Sequence, residues 1–379
     1  MIQSLDRKPM RITKLEAIPV RVPLKAGMVT KTAHGDHHTS DYVIVKLHTD
    51  DGLVGLGEAT VSALWSGETS KSCVATLADL IGPALMGVDP TQISALRKLM
   101  DFLIKLNPFT KAAVEMALWD IAGKARGVPV YQLLGGKFWD IIPTKMMIGA
   151  FDLPRVRSLA EQFLGWGVRC LKVKVGLDLA GDLARVKAVR DVAGPDIPIT
   201  IDANCGWNVT TARIALERLR PFNILVVEQP IAPGDTEAMA SLRSAGIPIM
   251  VDESVFTLAD AWNVLRAHAA DVVSIYPGKN GGIAAAIEIA HVAQAAGVPC
   301  HVGSNLELGI GSAAMLHLAC AVLNIDSETY PADILGPHYH EADLLSQPLA
   351  LDPHGAKVPD GPGLGISLDE DQLKRYRVD

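Results

Sequence analysis

Aromatic residues make up only 5% of the 379-residue chain and charged residues only 20%. Cysteine occurs five times, at positions 73, 170, 205, 300 and 320, and never as a CxxC pair. An odd number without paired spacing suits a reduced, cytoplasmic setting better than a disulfide framework. No Lys/Arg stripe stands out, and 35 basic against 42 acidic residues leave a formal charge of −7, which argues against nucleic acid as a partner. The opening MIQSLDRKPMR lacks the apolar core of a secretory leader. The most apolar stretch, Gly309 to Ile325, is rich in Ala and Gly and carries His317, so a buried helix is expected there and no membrane is expected as a partner. What the chain has in quantity is apolar material, 49%, which excludes disorder. Its length exceeds one ordinary core and implies two lobes, or a barrel with an appendage.

Two textures follow one another. Residues 11–60 read as strands, with RITKLEAIPVRVPL, DYVIVKLHT and LVGLGEAT, the last two separated by the hairpin signal Asp50-Asp51-Gly52. Residues 70–126 read as helices, ending in KAAVEMALWDIAGKARG, where Ala113, Ala117 and Ile121 recur at helical spacing. This predicts an α+β lobe over 1–140. From 141 to 329 short apolar runs recur at Met146, Leu171, Thr200, Leu225, Ile249, Val272, Cys300 and Leu323, with gaps of 23 to 29 residues filled by Ala-, Leu- and Arg-rich stretches. Eight even βα units predict an α/β fold of the (β/α)8 TIM-barrel type rather than a doubly wound open sheet. Residues 330–379 are Pro- and Gly-rich and are expected to return to the first lobe.

Barrel active sites lie at the carboxyl ends of the strands, and four successive run ends here are charged. The second holds Lys172 and Lys174, which share a face because i and i+2 do so on a strand. The third ends at Asp202 with Asn204, the fourth at Glu228, and the fifth at Asp252 with Glu253. The three acids are one βα unit apart and so occupy equivalent places. Crowded carboxylates with room for water suit Mg²⁺, or Mn²⁺, although a lone acid there is often only a helix N-cap. A lysine beside another lysine and a divalent cation is expected to have a lowered pKa, making it a base near neutrality. Base and metal together imply removal of a proton next to a carboxylate, through an enediolate held on the metal.

LKVKVG, IDANCGW, VVEQP, MVDES and GKNGGI, in this order and spacing, resemble the enolase superfamily, specifically its muconate-lactonizing (muconate cycloisomerase) subgroup, related to mandelate racemase. A lysine or histidine base with a Mg²⁺-stabilised enediolate is the general chemistry of that superfamily, so the resemblance implies this reaction independently of the spacing. The resemblance implies a modified, enolase-like barrel with a capping lobe, with Asp202, Glu228 and Asp252 as metal ligands. It implies Lys174 as the acid/base, Lys172 beside it on the substrate carboxylate, and Asn204 and Glu253 behind them. Glu307 in SNLELGIG matches an acidic residue after the seventh strand. One position departs: the subgroup has a second lysine three residues before the Lys of KxGG, which here is Lys279, so that place holds Tyr276. A phenol, with an ordinary pKa near 10, is a poor base but a usable donor. This weakens racemisation or epimerisation, which needs a base on both faces, and leaves cycloisomerisation or syn elimination. His301, ending the seventh run, reads either as a substrate contact and proton donor or as a loop partner. Segments 28–41, with His34, and 62–70, with Trp65, are expected to lid the barrel mouth. The expected activity is a muconate cycloisomerase-like isomerase acting on a small carboxylic acid. The alternatives are a lyase that dehydrates a hydroxy acid or acid sugar, a racemase or epimerase of amino-acid derivatives, and a barrel that binds without turnover. A homo-oligomer is expected from the apolar composition and the family habit.

Overall fold

The computed structural model describes residues 10–352 and 355–378. The opening segment, through Pro9, therefore lies outside the described residues. Among those that are described, no helix is long and apolar enough to cross a membrane, and no cysteine is in a disulfide.

The first lobe is an antiparallel sheet of β1 (Ile12–Pro23), β2 (Thr39–Thr49) and β3 (Val54–Thr60), with β2 in the middle. The β2–β3 turn has Gly52 at φ +87°, a left-handed conformation open to glycine at little cost. Helix α1 (Pro108–Arg126) starts with a proline that fits the first helical turn and ends at Gly127 in the left-handed conformation. It lies directly on β3. Gly55 and Gly57 face the backbone carbonyls of Ala117 and Ala113, and a Cβ on either glycine would strike them. Glycine on the strand and alanine on the helix thus let two backbones meet. Between β1 and β2 a small hairpin, Thr30–Thr32 with Gly35–His37, reaches over the barrel.

The barrel sheet holds β4 (Met146–Ile148), β5 (Leu171–Lys174), β6 (Ile199–Asp202), β7 (Ile224–Glu228), β8 (Ile249–Val251), β9 (Val272–Ile275) and β10 (Cys300–Val302). All are parallel and neighbour one another in chain order. Helices cover the outside, among them Leu179–Ala193 and Ile283–Ala295. The apolar helix expected near 309–325 is α2 (Gly309–Ala321), buried along almost its whole length.

The eighth repeat corrects the sequence reading. The run VLNIDSE forms no strand, and Leu323 is exposed. Only its middle lies against β10, where Asn324 O accepts from Cys300 N and Asp326 N donates to Cys300 O, and the chain beyond it completes the closure. Ile325 bridges Cys300 on β10 and Ala332 bridges Thr144 beside β4, both in parallel. Asp333 N donates to Val302 O, and Lys145 N to Ala332 O. The barrel therefore closes through irregular chain, and its eighth strand end is Asp333. Further on, Gly355–Lys357 pairs with Ile141–Ile142, and Arg377 bridges Val20 on β1, so the tail binds the first lobe.

Candidate active site

Strand register decides which side chains meet. Lys174, Asp202 and Glu228 are register partners across β5, β6 and β7, so their side chains project inward at one level. After Asp202 the chain turns through left-handed φ at Asn204 and Cys205, a conformation asparagine tolerates better than most residues. This turn returns the Asn204 side chain to the strand ends. Lys174 Nζ donates to Asp202 Oδ2 at 2.6 Å and to Asn204 Oδ1 at 2.7 Å. Lys172 Nζ lies 2.7 Å from Glu228 Oε2, 2.9 Å from Asp333 Oδ2 and 3.3 Å from Asp202 Oδ2. Burial opposes the Lys172 charge, but Asp333, Glu228 and Asp202 outweigh it and hold its pKa well above the usual lysine value. It stays a cation.

Lys279 is fully buried beneath the site. Its Nζ donates to Asp252 Oδ1 at 2.5 Å, Asp252 O at 2.9 Å and Ser274 O at 2.8 Å. An ammonium has three protons to donate. Lys172 and Lys279 each have three acceptors, whereas among the described residues Lys174 has two. Lys174 is thus left with an N–H for a ligand, and it lines a cavity of about 370 Å³ at the barrel mouth.

The same cavity is lined by Lys172, Asn204, His34 and Trp65, as expected, and by Lys145 and Asp333, which the sequence reading missed. His34 Nε2 lies 3.4 Å from Glu253 Oε1, Asn204 Nδ2 donates to that same oxygen at 3.0 Å, and the rings of His34 and Trp65 meet edge-on. The two lid segments are therefore in contact with each other and with the barrel.

His301 is corrected as a proton donor. It is level with Ser274, one layer below Tyr276, and is fully buried. Burial and the nearby Lys145 charge hold it neutral, well below its usual pKa. Its Nε2 accepts from Lys145 Nζ at 2.5 Å and lies beside Pro331 O, so the loop-partner reading is the one that fits. Glu307 caps its own loop, accepting from Ser304 Oγ at 2.5 Å and Asn305 N at 3.1 Å. Tyr276 is on β9's end, four strands from Lys174 and so across the barrel. It is fully buried, and its hydroxyl has no partner among the described residues. Burial and the carboxylates of Asp252, Glu307, Glu253 and Glu228 keep that hydroxyl protonated, far above its ordinary pKa.

Whether a divalent ion suits the site turns on Asp202, Glu228 and Asp252. Burial, together with the charges of Asp202, Asp252 and Asp333, pushes Glu228 above the usual carboxylate range against the pull of Lys172. The site thus crowds more negative charge than its carboxylates carry easily, and hard oxygen donors are what Mg²⁺ takes. Yet among the described residues no three acidic, His or Cys side chains are gathered as a chelating cluster. Each of the three acids turns an oxygen to a lysine instead. The fit is one of donor chemistry and strand register, not of a preformed cage.

Comparison with known proteins agrees with the geometry. Residues 155–372 match the enolase C-terminal domain-like family, and residues 14–135 match the mandelate racemase/muconate lactonizing enzyme N-terminal domain. The chain is 34% identical over 371 residues to an N-succinyl-L-Arg/Lys racemase of Bacillus cereus, covering 97% of this chain and 98% of that protein. It is 34% identical over 347 residues to a chloromuconate cycloisomerase of Cupriavidus pinatubonensis, covering 90% and 92%. The crystal structure of a muconate lactonizing enzyme from Pseudomonas fluorescens with muconolactone superposes with a TM-score of 0.93 at 31% identity, over 98% of this chain and 100% of that one. Strand-end lysines and acids, the capping lobe and the returning tail all have one explanation: the chain is an enzyme of the enolase superfamily, of the mandelate racemase/muconate lactonizing type.

Proposed function

We propose that this enzyme is a one-base, cycloisomerase-like catalyst for a small unsaturated carboxylic acid. The observation that carries this reading is the asymmetry across the cavity. Lys174 has an N–H to spare and lines the cavity, while the opposite strand ends at Tyr276, a buried phenol without a partner among the described residues, and the nearby Lys279 is committed to Asp252 and Ser274. In the forward direction the Lys174 ammonium delivers a proton to the α-carbon as a carboxylate oxygen closes the lactone C–O bond. In reverse the amine takes that proton back and the ring opens. The lactone carries one negative charge fewer than the diacid, so Lys174 recovers its proton from solvent. Asn204 and Asp202 fix the Lys174 Nζ for this step, and Lys172 supplies fixed positive charge to the reacting carboxylate. Asp202, Glu228 and Asp252 would hold Mg²⁺ or Mn²⁺, which when bound supplies a Lewis acid for the negative charge developing on the carboxylate. The lid residues His34 and Trp65 exclude water.

Racemisation, the activity named for the Bacillus cereus relative, needs a base on each face, and a phenol held protonated serves poorly as one. A second reading rests on that same unpartnered hydroxyl: Tyr276 can protonate a leaving hydroxide, which would make the enzyme a hydroxy-acid dehydratase.

The test is the ultraviolet absorbance of cis,cis-muconate with Mg²⁺ or Mn²⁺, beside an EDTA control and Lys174→Ala. Metal-dependent loss of the diene is expected, falling about 10² to 10⁴-fold in the variant. An unchanged diene with the native enzyme would sink the lactonizing reading. Turnover retained by Lys174→Ala would sink the role given to that lysine.

A further inference from the structure

We infer that His340 is a positioning residue for the lid side of the active cavity: its imidazole joins the lid hairpin to the loop after β10, so that this wall is set before a substrate enters. The inference goes beyond the reading above and rests on it only for the substrate used in the kinetic part of its test.

His340 stands in the returning tail, just after the short helix Gly336–Tyr339, and is 1% exposed. Its Nδ1 lies 2.8 Å from Gly336 O, and its Nε2 lies 2.8 Å from Ser40 Oγ and 3.0 Å from Tyr42 Oη, both on β2. Ser40 Oγ is in turn 2.7 Å from Nε2 of His37, the last residue of the lid hairpin. Tyr42 Oη is 2.6 Å from Leu306 O in the loop after β10. His37, Ser40 and Leu306 all line the cavity.

Proton counting gives each contact one direction. A carbonyl oxygen only accepts, so His340 Nδ1 carries a proton to Gly336 O, and the Tyr42 hydroxyl donates to Leu306 O. Burial lowers the His340 pKa to about 4 against the pull of Gly336 O, so the ring is neutral and Nε2 offers a lone pair. Tyr42 has no second proton, which leaves Ser40 to donate to Nε2. The His37 Nε2 beside Ser40 Oγ must then be a donor. The chain runs from His37 through Ser40 to His340 and on to Gly336, with Tyr42 turned to Leu306. Ser40 beside an oriented histidine has the form of a nucleophile and its base. Its oxygen already accepts the His37 N–H, however, and Ser40 is only 3% exposed. It ties segments together and does not attack a substrate.

Two parts of the wall gain from that tie. Leu306 has φ +63°, a left-handed conformation that costs a leucine free energy, and Tyr42 holds its carbonyl there. The hairpin strands have three residues each, Thr30–Thr32 and Gly35–His37. A two-stranded hairpin is marginal by itself, and the Ser40 contact pins its end.

Hydrogen exchange followed by mass spectrometry reads the tie directly. Ser40→Ala and His340→Asn are each expected to speed exchange of the amides in 30–38 about tenfold, the effect of one lost hydrogen bond. Asparagine still donates to Gly336 O but falls short of Ser40. His340→Gln sets an amide oxygen near the Nε2 place and is expected to keep hairpin exchange within about threefold of native. On cis,cis-muconate, Ser40→Ala and His340→Asn are expected to raise KM about tenfold and keep kcat within about twofold, because Lys174 and the strand-end carboxylates are untouched. Unchanged hairpin exchange or an unchanged KM in both variants, or equal effects of asparagine and glutamine at 340, would overturn the inference. Ser40 and His340 belong to different segments, so each variant tests it if the other does not fold. If the native enzyme leaves the diene intact, the lactonizing reading alone falls, and exchange still decides this inference.

Discussion

Asp120 offers a sharp test of how the returning tail is joined to the first lobe. It sits on α1, fully buried, and its two oxygens serve three parts of the chain. Oδ2 accepts from Leu56 N on β3 at 2.9 Å and from Lys124 Nζ at 2.7 Å, and Oδ1 accepts from Leu364 N in the returning tail at 2.9 Å. Asp120→Asn keeps the shape but offers one oxygen to three donors. If the amide nitrogen takes the Oδ2 place, it faces two donors. If it takes the Oδ1 place, it faces the Leu364 N–H. At least one buried N–H loses a charged acceptor, at about 1.5–3 kcal/mol. The Lys124 pair is weakened as well, by less than a fully buried pair because Lys124 is 23% exposed. Burial raises the Asp120 pKa despite Lys124, so the charge lost was itself costly, which offsets part of the loss. The expected destabilisation is about 3 kcal/mol. Urea unfolding at pH 7, with midpoints compared at constant slope, measures it. A change under about 1 kcal/mol would refute the view that this carboxylate joins the tail to the first lobe.

A second prediction concerns Glu58, which is buried and accepts from Leu308 N at 2.8 Å and Gly311 N at 3.1 Å. Burial raises its pKa from 4.5 to about 8. A carboxyl whose folded pKa is raised contributes stability that is full below about 4.5 and lost as pH climbs through about 8. The upper limit is (8 − 4.5) × 1.36, on the order of 5 kcal/mol. Melting temperature should therefore fall between about pH 5 and 9, and Glu58→Gln should flatten that slope; an equal slope in the variant would assign it elsewhere, for instance to Glu307, raised to about 7 by burial. Third, Mg²⁺ at about a hundred times its dissociation constant should stabilise the fold by about 2.7 kcal/mol in a thermal melt. A shift that survives Glu228→Gln unchanged would place the ion away from these strand ends.

The parts of the site that could be read in the sequence are those whose side-chain direction follows from local period. Lys172 and Lys174 alternate on a strand, and Asp202, Glu228 and Asp252 recur at one βα unit, so the pattern alone put them on one rim. His301 shared the pattern but not the depth: one layer down, a histidine meets Lys145 and backbone instead of substrate. Lys145 and Asp333 were missed for a different reason. The run at Leu323 kept the period of the repeat and its Ile325 bridges β10, but the contact to the β4 side comes seven residues later, at Ala332 beside Asp333, which displaced the expected eighth strand end. An inward lysine two places before Met147, itself the register partner of Lys172, was the signal available. Lys279 could not be placed because nothing local distinguishes a lysine under a carboxylate from one in a loop.

The glycines of β3 have a consequence beyond packing. Gly55 and Gly57 let α1 rest directly on the strand backbone, and the hairpin with His34 and the short segment with Trp65 project from the lobe so packed. In the proposed reaction the proton-bearing Lys174 stands on a barrel strand, while His34 and Trp65 reach the same cavity from the first lobe. A mutational walk through residues 28–41 and 62–70 is therefore expected to change which molecules the proposed reaction accepts while leaving the strand-end lysines and acids in place.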